Sequence, residues 1–297
     1  MRHRGLGSML ASLMIAVALS AGMTLFAMRL MVQSNADYQR TDQLSQMEEQ
    51  AAYAIERIAR SLHQAGYVDT SLPMAALPAR PFDGAVYGID NSTVSVGLPA
   101  VDAAVTGAHL GSDVLVVRFA GDAAGTTTNC AGFAVTPSTT GADNRGISIF
   151  YVALDALNEP ELRCKYRGSS QWSSQAIVTG VESFQVLFGL DTDGDGLPND
   201  FVSASRLSAL DAVAASSLPS MRTRIVAVHV ALLMRSPQHV KVQAGLQAID
   251  MFGSRYGERH AVDDPGTRIA PYQLKSDRLH RRYDAVIFLN NSLRPDR

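Results

Sequence analysis

The chain has 297 residues, 46% of them hydrophobic, with a formal net charge of -2. That is enough apolar material for a sizeable core and too much for a disordered or fibrous protein. No run of basic residues with interleaved aromatics occurs, so the electrostatic footprint of nucleic-acid binding is missing and no nucleic-acid partner is expected.

Residues 6–28 carry no charge and are rich in Leu, Met, Ala, Val and Ile. At 1.5 Å rise per residue such a helix crosses the ~30 Å hydrocarbon core of a bilayer. Arg2, His3 and Arg4 precede the segment, which by the positive-inside rule favours a cytoplasmic N-terminus and an exported remainder. A cleaved secretory signal peptide is the alternative. The length of the apolar run and the helical pattern that continues past it favour a retained membrane helix.

After Arg29 the sequence turns polar, and Leu44, Met47, Ala51, Ala54 or Ile55, Ile58, Leu62 and Ala65 recur at steps of three and four. These predict one apolar stripe on a helix that packs against the chain's own globular part. Glu48, Glu49, Arg57 and Arg60 fall on the opposite face, with Glu56 placed to pair with Arg60. Gly66 is the expected stop. A helix unbroken over 8–65 would be about 87 Å long.

These residues resemble the type IV pilins, and among them the PilW-like minor pilins, relatives of the J-type pseudopilins of type II secretion. The run GSMLASLMIAVA from Gly7 is similar to a prepilin cleavage region, and RIARSLHQAGY from Arg57 looks like the end of a PilW-like stem helix. The resemblance implies a leader over 1–7 removed by prepilin peptidase after Gly7, with Ser8 as the first mature residue and Ser12 as the fifth. Most members have glutamate at that fifth position, where it neutralises a neighbouring subunit's N-terminal amine. Serine cannot do this, although it inserts into lipid at less cost. A subunit at the outer end of a filament does not need the contact. The implied organisation is a transmembrane part over 8–33, a stem over 34–66 and a pilin globular domain over 67–297. The implied role is in assembly of an initiating or tip complex, with other minor pilins, the major pilin and inner-membrane lipid as partners and a tip adhesin as a further one. A J-like pseudopilin is the alternative within the same physics.

Residues 67–112 read as an irregular connector containing Pro73, Pro78, Pro81 and Pro99, with a short strand at 93–96. Strand patterns follow at 113–119, 132–135, 147–154, 161–166, 181–188, 224–235 and 284–290. The fold class expected is α+β, a long helix packed on a mainly antiparallel sheet. In the longest strand His229 lies opposite the face of Val226, Val228, Val230, Leu232 and Met234, which makes it a surface or groove residue.

Cys130 and Cys164 are the two cysteines. In an exported domain a single bridge between them is the reading taken, against two free thiols. By the loop-entropy argument it is worth about 3–4 kcal/mol.

The sharpest chemical motif is DTDGDGLPND over 191–200. Asp191, Asp193 and Asp195 followed by Gly196 match the opening of an EF-hand calcium loop, and PilW-like proteins often carry a similar run. Leu197 through its carbonyl, Asn199 and Asp200 would complete a looser shell. Val202 stands where the full motif has a bidentate glutamate, and no helix pattern flanks the loop. Two readings stay open, a calcium site and a tight Asp/Gly turn.

No metalloprotease, serine-hydrolase, P-loop or dinucleotide motif occurs. Asp263, Asp264, Arg278, His280, Arg281 and Arg282 read as solvated loop and strand-flank residues. An enzyme is not expected; a membrane-tethered periplasmic hydrolase is the competing class.

Overall fold

The computed structural model describes residues 4–68, 84–101, 104–137, 146–168, 171–214, 220–239, 247–274 and 277–291. Pro73, Pro78 and Pro81 of the expected connector, and the end of the closing motif at 292–294, lie outside them. The chain divides into two compact units, Met1–Gln46 and Met47–Arg297. Helix α1, Arg4–His63, forms the first unit and opens the second.

The second unit is strand-rich. Its strands are β1 Val86–Ile89, β2 Ser92–Thr93, β3 Val105–Thr106, β4 Val114–Arg118, β5 Ile147–Leu154, β6 Pro160–Arg167, β7 Trp172–Thr179, β8 Val181–Leu190, β9 Asp200–Val202, β10 Ile225–Arg235, β11 Ile249–Asp250, β12 Arg268–Ile269 and β13 His280–Phe288. Among the described residues two short α-helices accompany them, α2 Ala204–Ala214 and α3 Ser254–His260. One sheet has the order β1-β4-β5-β6-β7 and another β13-β10-β8-β9. Their pairings are antiparallel, so the class is α+β, as the sequence predicts.

Alternation builds both cores. In the first sheet Val114, Val116, Ile147, Ile149 and Tyr151 share a buried cluster with Val94, while Leu115 pairs with Phe150 on the other face. In the second, Phe184, Val186 and Phe188 stand opposite Leu232, Val230 and Val228. On the reverse face Ala231 and Leu233 are closed over by Met251, Ile269 and Leu274. Strand β8 is buried along its whole length, with no polar side chain from Val186 to Leu190 and with Glu182, Ser183 and Gln185 buried in its first half. Gly88 lets the two sheets meet, since a Cβ there would lie 2.9 Å from the Phe188 ring and from the Val114 carbonyl.

Several expectations shift. Residues 132–135 form no strand; a single bridge joins Thr128 to Ala134 inside the loop that Cys130 tethers. The strand expected at 93–96 is only Ser92–Thr93. The last strand begins at His280, because Arg281 and Arg282 pair with Met234 and Leu233 on β10. The sequence reading contains neither strand β7 nor helix α2: WSSQAIVT is half polar and lies at a sheet edge, and α2 is short and weakly amphipathic.

Candidate functional site

In the first unit the side chains of the apolar segment lie uncovered. Met9, Leu13, Met14, Met23, Phe26 and Val32 are between 63% and 75% exposed, and together they form a contiguous apolar surface of a kind that monomeric soluble proteins rarely show. The segment is long and apolar enough to cross a membrane, with a mean hydropathy of 2.0. Two of its hydroxyls bond to the helix's own backbone: Ser20 Oγ donates to the Val17 carbonyl at 2.9 Å and Thr24 Oγ1 to the Ser20 carbonyl at 2.8 Å. In lipid that removes the cost of an unsatisfied donor. Gly7 and Ser8 are in the helix, as is Ser12, whose side chain is exposed.

In the second unit α1 changes character. Met47, Ala51, Ala54, Ile58, Leu62 and Ala65 are at most 1% exposed, which is the predicted stripe with Ala54 as the buried alternative and Ile55 half-covered. Arg60 and Glu56 form the expected exposed pair at 2.7 Å. Arg57 departs from the solvated face assigned to it: its Nη2 donates to the Cys130 carbonyl at 2.8 Å. The helix stops at Gly66, which has φ 72° and whose amide donates to the Arg118 carbonyl. Asn291 Nδ2 reaches back to the His63 and Ala65 carbonyls at 3.4 and 3.3 Å. The end of the described chain thus caps the end of the stem.

Cys130 and Cys164 form a disulfide with Cα atoms 6.0 Å apart, well within the reach of such a bridge. The Cys130 amide donates to Ser148 Oγ on β5, and the Thr128 amide donates to Gln64 Oε1 on the stem. One loop is therefore tied both to the sheet and to α1.

The acidic loop connects β8 to β9. Oxygens of Asp191, Asp193 and Asp195 lie within 4.8 Å of one another, and the last two side chains are exposed. Asp191 accepts the amides of Gly194 at 2.6 Å and Gly196 at 2.8 Å. Burial works against its ionisation, but those amides hold its carboxyl below the usual value. Asp195 accepts the Leu197 amide at 2.7 Å. Asn199 Oδ1 takes both the amide and the hydroxyl of Thr192, while its Nδ2 donates to Asp193 Oδ2. Asp200 opens β9 and its Oδ1 accepts the Phe201 amide. The loop does have a flanking helix, contrary to the sequence reading, since α2 starts at Ala204. Its start is capped by Asp90, distant in sequence, through the Ala204 and Ser205 amides at 3.0 and 2.7 Å, and by Ser203 Oγ, which accepts the Arg206 amide at 3.3 Å.

His229 packs against the rings of Phe201 and Phe252, with centroids 5.7 and 4.8 Å away, and its Nε2 lies 3.0 Å from Asp284 Oδ2. Three further sequence readings change. Arg278 is buried rather than solvated, donating to the Ser236 carbonyl, and the His280 side chain is 1% exposed. Asp264 is buried as well, and its oxygens gather with those of Asp90 and Asp113 within 4.8 Å. Three isolated aspartates at such distances in sequence carry no spacing signal, so only the folded chain brings them together.

Residues 149–291 match the family model described as Type IV Pilus-assembly protein W, a stretch that runs from within β5 to the Asn291 cap. A type IV-like pilin from Thermus thermophilus is similar over 86% of this chain and 100% of its own, at 15% identity and a TM-score of 0.38. No curated protein matches the chain.

Proposed function

We propose that the chain, whose residues 149–291 match the family of type IV pilus-assembly proteins W, is a minor pilin that acts in an initiating or tip complex with other minor pilins. The observation that supports this reading is an apolar helical segment that the chain's own residues leave uncovered, continuous with a stem buried in the second unit. Such a segment suits two successive environments, lipid and then a bundle of like helices, because both are apolar and neither demands side-chain specificity. The proposed boundaries are a leader over 1–7, a membrane part over 8–33, a stem over 34–66 and a globular region over 67–297, with the N-terminus cytoplasmic and the globular region periplasmic before extraction into the filament. Ser12 fits the outer end: a subunit with nothing above it has no neighbouring amine to neutralise. The role is assembly and not catalysis.

Deletion of the gene with complementation tests the reading. The expected outcome is loss of surface pili, restored by the full chain, with other pilins recovered on it after crosslinking. Unchanged piliation would overturn it. N-terminal sequencing of the mature protein tests the leader, for which an intact Met1 is the contrary result.

Calcium fits the acidic loop in part. Carboxylate oxygens within 4.8 Å of one another are spaced as ligands of one ion with bonds of about 2.3–2.6 Å. Val202, buried in β9, offers no carboxylate, and Asn199 Oδ1 is already occupied. Asp191, Asp193 and Asp195 would hold the ion, with the Leu197 carbonyl and Asp200 as further donors, and the ion would supply rigidity to the loop. Calorimetry with calcium on the full chain and on its Asp193→Asn/Asp195→Asn variant, both in detergent, is the check; equal heat in the two leaves a tight turn.

A further inference from the structure

A second carboxylate cluster lies inside the strand-rich unit. Asp90 follows β1, Asp113 precedes β4 and Asp264 sits in the turn before β12. Close backbone contact assembles them: Gly111 and Gly266 press together so tightly that a Cβ on Gly111 would come within 2.7 Å of the Gly266 amide nitrogen. Each carboxylate is also held. Asp90 accepts the first amides of α2, Asp113 accepts the Asn91 amide at 3.0 Å and the Val186 amide at 2.9 Å, and Asp264 Oδ2 accepts the Tyr256 hydroxyl at 3.0 Å.

The remaining oxygen is the telling one. Asp264 is 2% exposed, yet its Oδ1 has no hydrogen-bond donor among the described residues. A buried carboxylate oxygen without a partner is costly, and more so beside two like charges. We propose that Asp90, Asp113 and Asp264 form a buried site for a hard divalent cation, calcium first, that ties the start of α2, the start of β4 and the 264–267 turn together.

Chemistry favours calcium over the alternatives. An all-oxygen carboxylate set selects calcium, magnesium or manganese over softer metals. Ligand oxygens up to 4.8 Å apart suit bonds of about 2.3–2.6 Å, whereas magnesium at about 2.0–2.1 Å would require the cluster to contract. Three carboxylates leave room for backbone carbonyls or water to complete six to eight ligands. The titration behaviour agrees. Burial, then the charges of Asp90 and Asp264, raise the Asp113 carboxyl well above its usual range, and burial with Asp90 pushes Asp264 up to about 7. Asp113 and Asp264 thus resist ionising here without a counter-ion. This site is separate from the acidic loop and does not depend on the pilus role.

Tyr256 provides the readout, because a phenol beside Asp264 sensitises terbium bound in its place. The full chain in detergent, stripped with EDTA, is titrated with terbium under tyrosine excitation and then with calcium. Asp264→Asn, Tyr256→Phe and the acidic-loop double variant Asp193→Asn/Asp195→Asn are measured beside it. The expected result is terbium emission in the wild type and the loop variant, displaced by calcium, and about tenfold weaker in Asp264→Asn, as expected for loss of a coordinating charge. In the loop variant, where the cluster alone binds, calcium at about 100 times its dissociation constant should raise the melting midpoint by about 5–10 °C. Asp264→Asn, relieved of repulsion, should melt in EDTA no lower than the wild type. In Tyr256→Phe the emission should fall while the calcium shift persists, a result that decides the matter even if Asp264→Asn fails to fold. Emission unchanged by Tyr256→Phe overturns the proposal. So does loss of all emission and all calcium shift in the acidic-loop variant, which would place the ion there alone. Absence of any response in the wild type also overturns it, and would mean that the cluster holds a proton instead.

Discussion

Glu182 is the residue on which acid stability turns. It is 4% exposed and receives His109 Nε2 at 2.7 Å and Arg235 Nη1 at 2.9 Å, with His280 beside it. Burial alone would raise its pKa; the hydrogen bond and charge of the histidines reverse that and bring it down to about 2 from 4.5. A folded value below the unfolded one contributes stability that is fully present above about pH 4.5 and lost as pH falls toward 2, on the order of 3 kcal/mol in total. Melting followed from pH 7 to 2 should show that acid limb, and Glu182→Gln should flatten it while lowering stability at neutral pH, since buried Arg235 then keeps only the more exposed Glu159 as an ionic partner. An unchanged acid limb in the variant would contradict the assignment. Glu182, His109 and Arg235 are far apart in sequence, and no local pattern marks them as partners. A periodicity argument sees strand residues there and nothing of their charge.

At the scale of elements, the stem's end and the tethered loop are the parts most open to test. Gly66 has φ 72°, and a Cβ there would lie 3.1 Å from the Asn291 carbonyl oxygen and 3.2 Å from the Ala85 Cβ. Gly66→Ala should therefore cost about 1–2 kcal/mol in thermal or denaturant unfolding, and Asn291→Ala, which removes only the capping amide, about 1 kcal/mol. A substitution at Gly66 without effect would mean that the helix stops for another reason. Removing the disulfide as Cys130→Ser/Cys164→Ser should lower stability by about 3 kcal/mol and open the 121–137 loop to proteases first. Uniform cleavage elsewhere would argue that the contacts of Arg57 and Gln64 hold that loop unaided. The helix stripe and the buried strands were legible because burial on one face imposes a period on the sequence. The edge strand β7 and the short helix α2 were not, because β7 is half polar at a sheet edge and α2 is weakly amphipathic.

For the whole molecule, the contrast between the two units carries a prediction about partition. Large apolar side chains of the first unit are uncovered, whereas those of the stem in the second are closed off. Full-length protein should remain in the membrane pellet after alkaline carbonate extraction, and a chain beginning at Met47 should appear in the soluble fraction if unit Met47–Arg297 folds by itself. Extraction of the full chain by carbonate would count against a membrane-anchored state before assembly.

Read alone, the sequence determined the apolar segment, the stem stripe, the α+β class and the resemblance to PilW-like pilins. Each rests on repetition along the chain, through an uncharged run, a 3.6-residue period, a two-residue period or a contiguous motif. Tertiary structure decided what repetition cannot encode. It moved Arg57 from solvent to the Cys130 carbonyl, buried Arg278, brought Asn291 onto the helix terminus, and gathered Asp90, Asp113 and Asp264 around one buried point. The physical reason is common to all of them. Burial of a polar group is tolerated only where partners arrive from other segments, and which segments arrive is settled by how the two sheets and the stem close on one another.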